Sequence, residues 1–217
     1  MVDPEGAGIQ PLHVRPLPDG SDIRKVTAAD VPRVAEALAR AFHDDPLIGH
    51  WVIPDESRRR RQLERGFELY MRRIWLRHDE CYTTDRLIGG AMWMPPATWH
   101  LGMAEQLRLL PSMIAAFGRN LPRLMRLLNA FEEKHPHDSH YYLPAIGVEP
   151  EWQGRGFGAA LLRPILERCD RERVPAYLEA SSPRNRALYE RNGFEVVEEM
   201  TVRDSPPFWR MWRAPGV

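Results

Sequence analysis

The sequence predicts an α/β domain of the α+β kind, with strands and helices sharing one core. Three observations predict it. The apolar run from Tyr141 to Val148 reads as a strand, and after a glycine-rich stretch Leu161, Leu162, Ile165, Leu166 and Cys169 recur at helical spacing. Residues 80–84 and 87–93 read as two strands around a short turn at Asp85-Arg86, an antiparallel hairpin. At 217 residues the chain suits one ordinary domain with a substantial core.

The elements follow in order. Residues 1–20 hold four prolines and three glycines, too little apolar surface to offset the entropy of ordering, so they read as a flexible tail before a domain at 21–217. Residues 22–27 form a short first strand. A helix opened by Thr27 or Asp30 follows, with Val31, Val34, Ala35, Leu38, Ala41 and Phe42 on one face. It ends at the polar turn His43-Asp44-Asp45-Pro46. A second helix, from about Asp55 to Arg77, buries Leu63, Phe67, Tyr70, Met71 and Ile74. After the hairpin, residues 98–133 are helical but interrupted at Pro111, Gly118 and Pro122. They read as a variable cover over an acceptor site or as plain packing. From Tyr141 the order is strand, glycine turn, helix, strand (174–180), short helix (about 184–192) and two strands (194–203 and 208–213).

Composition excludes several classes. Thirty basic and thirty acidic residues cancel, leaving no global field to attract nucleic acid or an anionic membrane. Arg58-Arg59-Arg60-Arg61 wraps around its helix, since consecutive residues turn by about 100°, and acidic neighbours make it a solvated surface. Two cysteines, Cys81 and Cys169, suggest neither a disulfide framework nor a zinc site. His135, His137 and His140 lack a carboxylate-rich or helical frame, so no metal is expected. The start Met1-Val2-Asp3-Pro4-Glu5 lacks signal-peptide regions, and no apolar run approaches the roughly 20 residues that span a bilayer. A cytoplasmic protein is expected.

The chemistry concentrates at Gln153-Gly154-Arg155-Gly156-Phe157-Gly158. Alternate glycines leave backbone N–H groups uncovered, and a helix starting there adds its unpaired N–H groups and positive dipole end. The hexapeptide alone reads as a cradle for phosphate or pyrophosphate, or as a flexible turn. Glu179 lies about where a dinucleotide fold needs an acid. However, the glycine spacing is wrong, five residues intervene after the strand, and only 59 residues follow Gly158. A Walker-type loop lacks its lysine. Pro144 cannot donate a ladder bond, and with Gly147 it suggests a bulged or splayed strand whose backbone is free to bind something extended.

Gln153-x-x-Gly156-x-Gly158 after Ile146-Gly147-Val148, then Tyr177-Leu178-Glu179 and Asn185-x-x-x-Tyr189-x-x-x-Gly193-Phe194, resembles the GNAT family of N-acetyltransferases. The resemblance covers most of the chain. It implies a GNAT fold, a twisted and mostly antiparallel mixed sheet with splayed central strands and flanking helices. It implies acetyl-CoA as co-substrate, no metal, and a small-molecule amine as acceptor. By resemblance, amides from Gly154 through Arg155, Gly156, Phe157 and Gly158 to Ala159 hold the pyrophosphate. Ile146, Gly147 and Val148 pair with the pantetheine arm, and a backbone N–H near Val148 holds the oxyanion. Asn185 and Tyr189, four apart on a helix, share a face. The resemblance makes Asn185 a coenzyme contact and Tyr189 the general acid; the plain alternative for Tyr189 is a core packing residue.

Free tyrosine titrates near 10 and a thiol near 8.5, so full proton transfer to a thiolate is uphill by about 2 kcal/mol. Tyr189 therefore reads mainly as a hydrogen-bond donor to sulfur. A lysine-like amine is neutral in only about one molecule in 2,500 at pH 7, so a base helps. Glu179 is the first candidate base, or else an anchor for a backbone amide. His43, Asp44 and Asp45 are weaker candidates. Direct attack in a ternary complex follows because no cysteine lies in the matched motifs. A non-catalytic acetyl-CoA sensor and an enzyme using another acyl-CoA stay open.

Overall fold

The computed structural model of the chain describes Leu17 and residues 20–216. The tail expected at 1–20 falls almost wholly outside the described residues. The first strand, β1 (Ile23–Lys25), leads to α1 (Val31–Ala41), whose buried face carries Val31, Val34, Ala35 and Leu38 as the periodicity requires. Asp30 opens α1, accepting from Thr27 N at 2.8 Å and Arg24 Nη1 at 2.7 Å. The expected polar turn after α1 continues differently. Asp45 Oδ1 accepts from Leu47 N and Ile48 N, at 3.0 and 2.8 Å, and caps a wide π-helical segment, Pro46–Val52.

The second helix, α2 (Glu56–Arg73), stops four residues before the expected Arg77 and is followed by a tight turn at Trp75–His78. Its arginine run does wrap the axis. Arg59 is buried on the Ile53 carbonyl at 3.0 Å, whereas Arg58, Arg60 and Arg61 are exposed. The hairpin forms β2 (Cys81–Thr84) and β3 (Gly89–Met94).

The stretch expected to be broken three times is broken once. The helix α3 (Met103–Phe117) passes through Pro111, an exposed position. Gly118, at φ +51°, ends it. Pro122 lies in the first turn of α4 (Leu121–Glu133), where a missing N–H costs nothing. The remaining elements are β4 (Tyr141–Val148), α5 (Phe157–Glu172), β5 (Ala176–Ala180), α6 (Pro183–Glu190), β6 (Glu195–Met200) and β7 (Phe208–Arg213).

The described strands form one sheet in the order β1-β2-β3-β4-β5-β7-β6. Every pair is antiparallel except β4–β5. On one face α5 buries Phe157, Leu161, Leu162 and Ile165 against Trp93, Leu143 and Leu178. On the other, α1 to α4 pack over Met92, Met94 and Ala145. No described helix is long and apolar enough to cross a membrane.

Pro144 marks the break in the sheet. Parallel pairing of β4 with β5 covers only Tyr141–Leu143 against Ala176–Leu178 and ends one residue before it. On the β3 side Met92 pairs with Ala145 but Met94 with Tyr142, so three steps of β4 oppose two of β3. That is a β-bulge at Leu143-Pro144. It flips the alternation, placing both Tyr142 and Ala145 on the face of α1 to α4. Beyond Pro144 the two strands diverge, and a notch opens between them.

Candidate active site

The notch has one wall of bare backbone. Glu149 N donates to Ile88 O at 2.9 Å, which makes Gly89/Val148 a non-hydrogen-bonded pair of the antiparallel ladder. The polar groups of Gly147 and Ala145 therefore serve β3, while those of Ile146 and Val148 point into the notch. Gly147 has a different task. A Cβ there would lie 2.8 Å from Ala41 Cβ, so the glycine lets α1 seat against β4. Val148 O is taken by Gln153 Nε2 at 2.8 Å, which ties the glycine turn to the strand end.

The turn itself is built for exposed amides. Gly154 and Gly156 adopt φ +76° and +94°, where a side chain is strained. The first donor in α5 with a backbone partner is Ala160, reaching Gly156 O at 3.0 Å. No described hydrogen bond takes up the N–H groups of residues 154–159, so six successive donors stand at the positive end of a 16-residue helix. The Arg155 guanidinium lies 5.1 Å from the Trp152 ring centroid, adding positive charge beside them. Gly158 is held for packing, since a Cβ would meet Leu188 at 3.1 Å.

Across the notch, β5 and α6 supply the side chains. Glu179 Oε2 accepts from the Tyr142 hydroxyl at 2.9 Å, whereas Oε1 is closed to solvent and has no partner. Arg210, opposite Glu179 in the ladder, is engaged elsewhere, by Tyr177 OH at 3.1 Å and Glu198 at 2.7 Å. Burial is the main reason the Glu179 carboxyl is pushed up to about 7, with the Tyr142 hydrogen bond, the nearby Tyr177 hydroxyl and the charge of Arg210 pulling back. A carboxyl raised toward neutrality is the kind that suits a general base.

Ser182 caps α6 by accepting from Asn185 N at 3.2 Å, with Pro183 in the first turn, and this aims Asn185 and Tyr189 along one face. Asn185 Nδ2 donates to Ser181 Oγ at 3.2 Å. Tyr189 is 5% exposed, and its hydroxyl has no hydrogen-bond partner among the described residues. Burial, then the nearby charges of Asp45 and Glu179, raise its pKa, so it stays protonated at neutral pH.

The alternative bases fare unequally. Asp45 is buried and its carboxyl is raised by desolvation, but Oδ1 caps the π-helical segment and Oδ2 accepts from Ser181 Oγ. Both its oxygens are therefore already engaged in holding the local structure. Asp44 is exposed and His43 half-buried in the turn after α1. The sequence reading had no role for Tyr142, Tyr177 or Ser181. Period two in Tyr177-x-Glu179 does place those two side chains on one face. Pairing Tyr142 with Tyr177 needed the register of β4 on β5.

His135 and His140 form an aromatic cluster with Tyr142 and Tyr177, whereas His137 is exposed. His140 Nδ1 lies 2.6 Å from the Asp138 carbonyl and must donate to it, leaving Nε2 to accept from His135 Nε2 at 3.0 Å. Burial holds His135 down at about 3, so it is neutral, and it stacks on Trp99 at 3.8 Å between centroids. No group of metal-ligating side chains occurs among the described residues.

A cavity of about 400 Å³ lies on the same face, between α2, α3, α4 and the β4 residues Tyr142, Pro144 and Ala145. Its β4 lining straddles the end of β4–β5 pairing, with Tyr142 on the paired side and Pro144 and Ala145 beyond it.

Residues 126–196 match the family model of the acetyltransferase (GNAT) domain. The chain is 29% identical over 181 residues, 79% of its length and 73% of the relative's, to an uncharacterized N-acetyltransferase of Schizosaccharomyces pombe. It is 28% identical over 201 residues to a mycothiol acetyltransferase of Beutenbergia cavernae, covering 89% of this chain but only 52% of that one. Among solved structures it superposes with a TM-score of 0.68 and 25% identity on a Corynebacterium glutamicum protein described as histone acetyltransferase HPA2 and related acetyltransferase. That match covers 91% of this chain and 97% of the other. The fold is the GNAT fold. The family model and the relatives together support an acetyltransferase of GNAT type.

Proposed function

We propose that residues 21–217 form an N-acetyltransferase that moves an acetyl group from acetyl-CoA to a primary amine of a small molecule, by direct attack in a ternary complex. The observation that carries this reading is the notch: the backbone of Ile146 and the N–H of Val148 turn away from β3 beyond the last β4–β5 pair, with unclaimed amides at one end. The residues fit the coenzyme, since a linear diamide arm needs an unpaired strand edge and a pyrophosphate needs clustered N–H groups. Acetyl-CoA, when bound, supplies the acetyl group as a thioester.

Residues 154–159 bind the pyrophosphate, Ile146 and Val148 pair with the pantetheine, Gln153 braces the turn, and Asn185 contacts the coenzyme. Glu179 takes the proton that the amine gives up as its new N–C bond replaces the S–C bond. Val148 N–H faces the developing oxyanion. Tyr189 donates a hydrogen bond to the departing sulfur. Direct transfer is supported by the thiols. Cys81 and Cys169 are both buried, and desolvation pushes each up to about 12, so neither is a nucleophile at neutral pH. Two free buried thiols also suit a cytoplasmic setting. The run Val174 to Glu179 with Ser182-Pro183-Arg184-Asn185 resembles puromycin N-acetyltransferase, which supports including aminonucleosides among the acceptors tested.

The test is thiol release from acetyl-CoA across a panel of amines, with mass spectrometry of both amine and protein. Acetylated amine and an unmodified protein are expected. Tight coenzyme binding with no release against a broad panel, or an acetylated residue competent to transfer onward, overturns the reading.

A further inference from the structure

We infer that the acceptor is an amine carried on a bulky apolar or aromatic body, with no second charge at its far end; this rests on the acetyltransferase reading above. The first ground is the lining of the cavity. Its walls are Leu63, Phe67 and Tyr70 of α2, Met113 and Phe117 of α3, and Leu124, Leu128 and Phe131 of α4. Among the described residues no Lys, Arg or Asp lines it; its polar side chains are Gln106, Asn129, Glu132 and the neutral His135. Its carboxylate, Glu132, is 43% exposed at the rim and is held by His100 Nδ1 at 2.9 Å. Away from that rim the apolar walls give a distal ammonium or carboxylate no partner for the water it would lose.

The second ground is the rim. Met103, Leu107 and Leu110 of α3 are 76%, 62% and 39% exposed, and all three border the cavity. Most large apolar side chains of this chain are buried, so an exposed row of them around an apolar opening marks a surface that something covers. The volume suits a small molecule, falling within the roughly 300–1,000 Å³ of small-molecule sites.

The third ground fixes the orientation. Tyr142 forms part of the cavity floor, and its hydroxyl bonds Glu179 at 2.9 Å. The acidic pole of the site is therefore at the notch end, where a single amine belongs, and the apolar body trails outward past α3 and α4. A polyamine would have to leave its other ammonium groups among leucine and phenylalanine side chains.

The experiment compares 2-phenylethylamine and tryptamine with spermidine, agmatine and glycine as acceptors, each at saturating acetyl-CoA. In parallel, 2-phenylethylamine is titrated against the protein's tryptophan emission, since Trp75 and Trp99 line the cavity. The variant Leu107→Glu/Leu110→Glu alters only partly exposed rim positions. The expected kcat/KM for the two aromatic amines is at least tenfold above that for the others. Saturable quenching is also expected, and in the double variant both effects fall about tenfold with the KM for acetyl-CoA unchanged. Preference for spermidine, agmatine or glycine overturns the inference while leaving acetyl transfer standing, as does a ranking unmoved by the double variant. Saturable quenching without thiol release from any amine supports the apolar site and removes the acetyltransferase reading. Neither quenching nor turnover with the aromatic amines overturns the inference.

Discussion

The Tyr142 hydroxyl donates to one oxygen of Glu179 at 2.9 Å, while the other oxygen, closed to solvent, has no partner. On the function proposed above, the carboxylate is fixed by its oriented oxygen and keeps the other for the amine's proton. Its raised pKa is what the same burial costs.

The pH dependence follows with a definite sign. Activity that needs ionised Glu179 should rise with pH and level off above about 7. Glu179→Gln should lower kcat/KM by about 10²-fold or more and remove that limb. Stability runs the other way. A carboxyl whose pKa is raised from its ordinary 4.5 to about 7 keeps its proton longer in the folded state, so stability declines as pH rises between those values and is level on either side. Glu179→Gln should therefore gain in Tm relative to the parent at pH 8 and not at pH 4. Thermal melts at the two pH values with a matched rate profile check both signs; an unchanged acid limb in the variant assigns the base elsewhere.

Tyr189 should act by donating and not by fully transferring its proton, because burial raises its pKa above that of free tyrosine. Tyr189→Phe should cut kcat by about 10²-fold, the range for removing one donor to developing charge, with coenzyme affinity within about twofold. Steady-state rates and calorimetric coenzyme binding separate the two. A variant with full kcat leaves Tyr189 as a packing residue against Phe194, whose ring lies 6.0 Å away.

Gly156→Ala tests the turn. The site is open in space, so any penalty comes from φ +94°. The expected cost is about 1–2 kcal/mol of stability. If the amides of 154–159 hold the pyrophosphate, KM for acetyl-CoA should rise severalfold with little change in kcat. An unaltered KM in a folded variant places the phosphates elsewhere.

Much of this architecture was legible because local chemistry and global fold agree. Pro144 announced a defect in its strand, since it cannot donate, and the structure has both a bulge and a parting of β4 from β5 there. The glycines after Gln153 announced a turn with bare amides, because a positive φ at Gly154 and Gly156 favours a residue without Cβ. Pro111 misled. A proline at an exposed helix position can be carried by the packing of the other face, here Leu109, Met113 and Phe117. Gly147 has a packing role that its neighbours in the sequence did not disclose: its missing Cβ makes room for α1.

The sequence by itself determined the order of strands and helices, the anion-ready turn, and the shared face of Asn185 and Tyr189, because each depends on residues close together in the chain. Tertiary structure decided which way the backbone of Ile146 and Val148 faces, that Tyr142 meets Glu179 across 37 positions, and that α2, α3 and α4 enclose an apolar cavity against β4. Those features depend on strand register and helix packing. Pro144 foretells a defect but not which residues pair around it, so register is decided by the assembled sheet, and burial, which tunes Glu179, is a property of everything around the residue and of nothing in it.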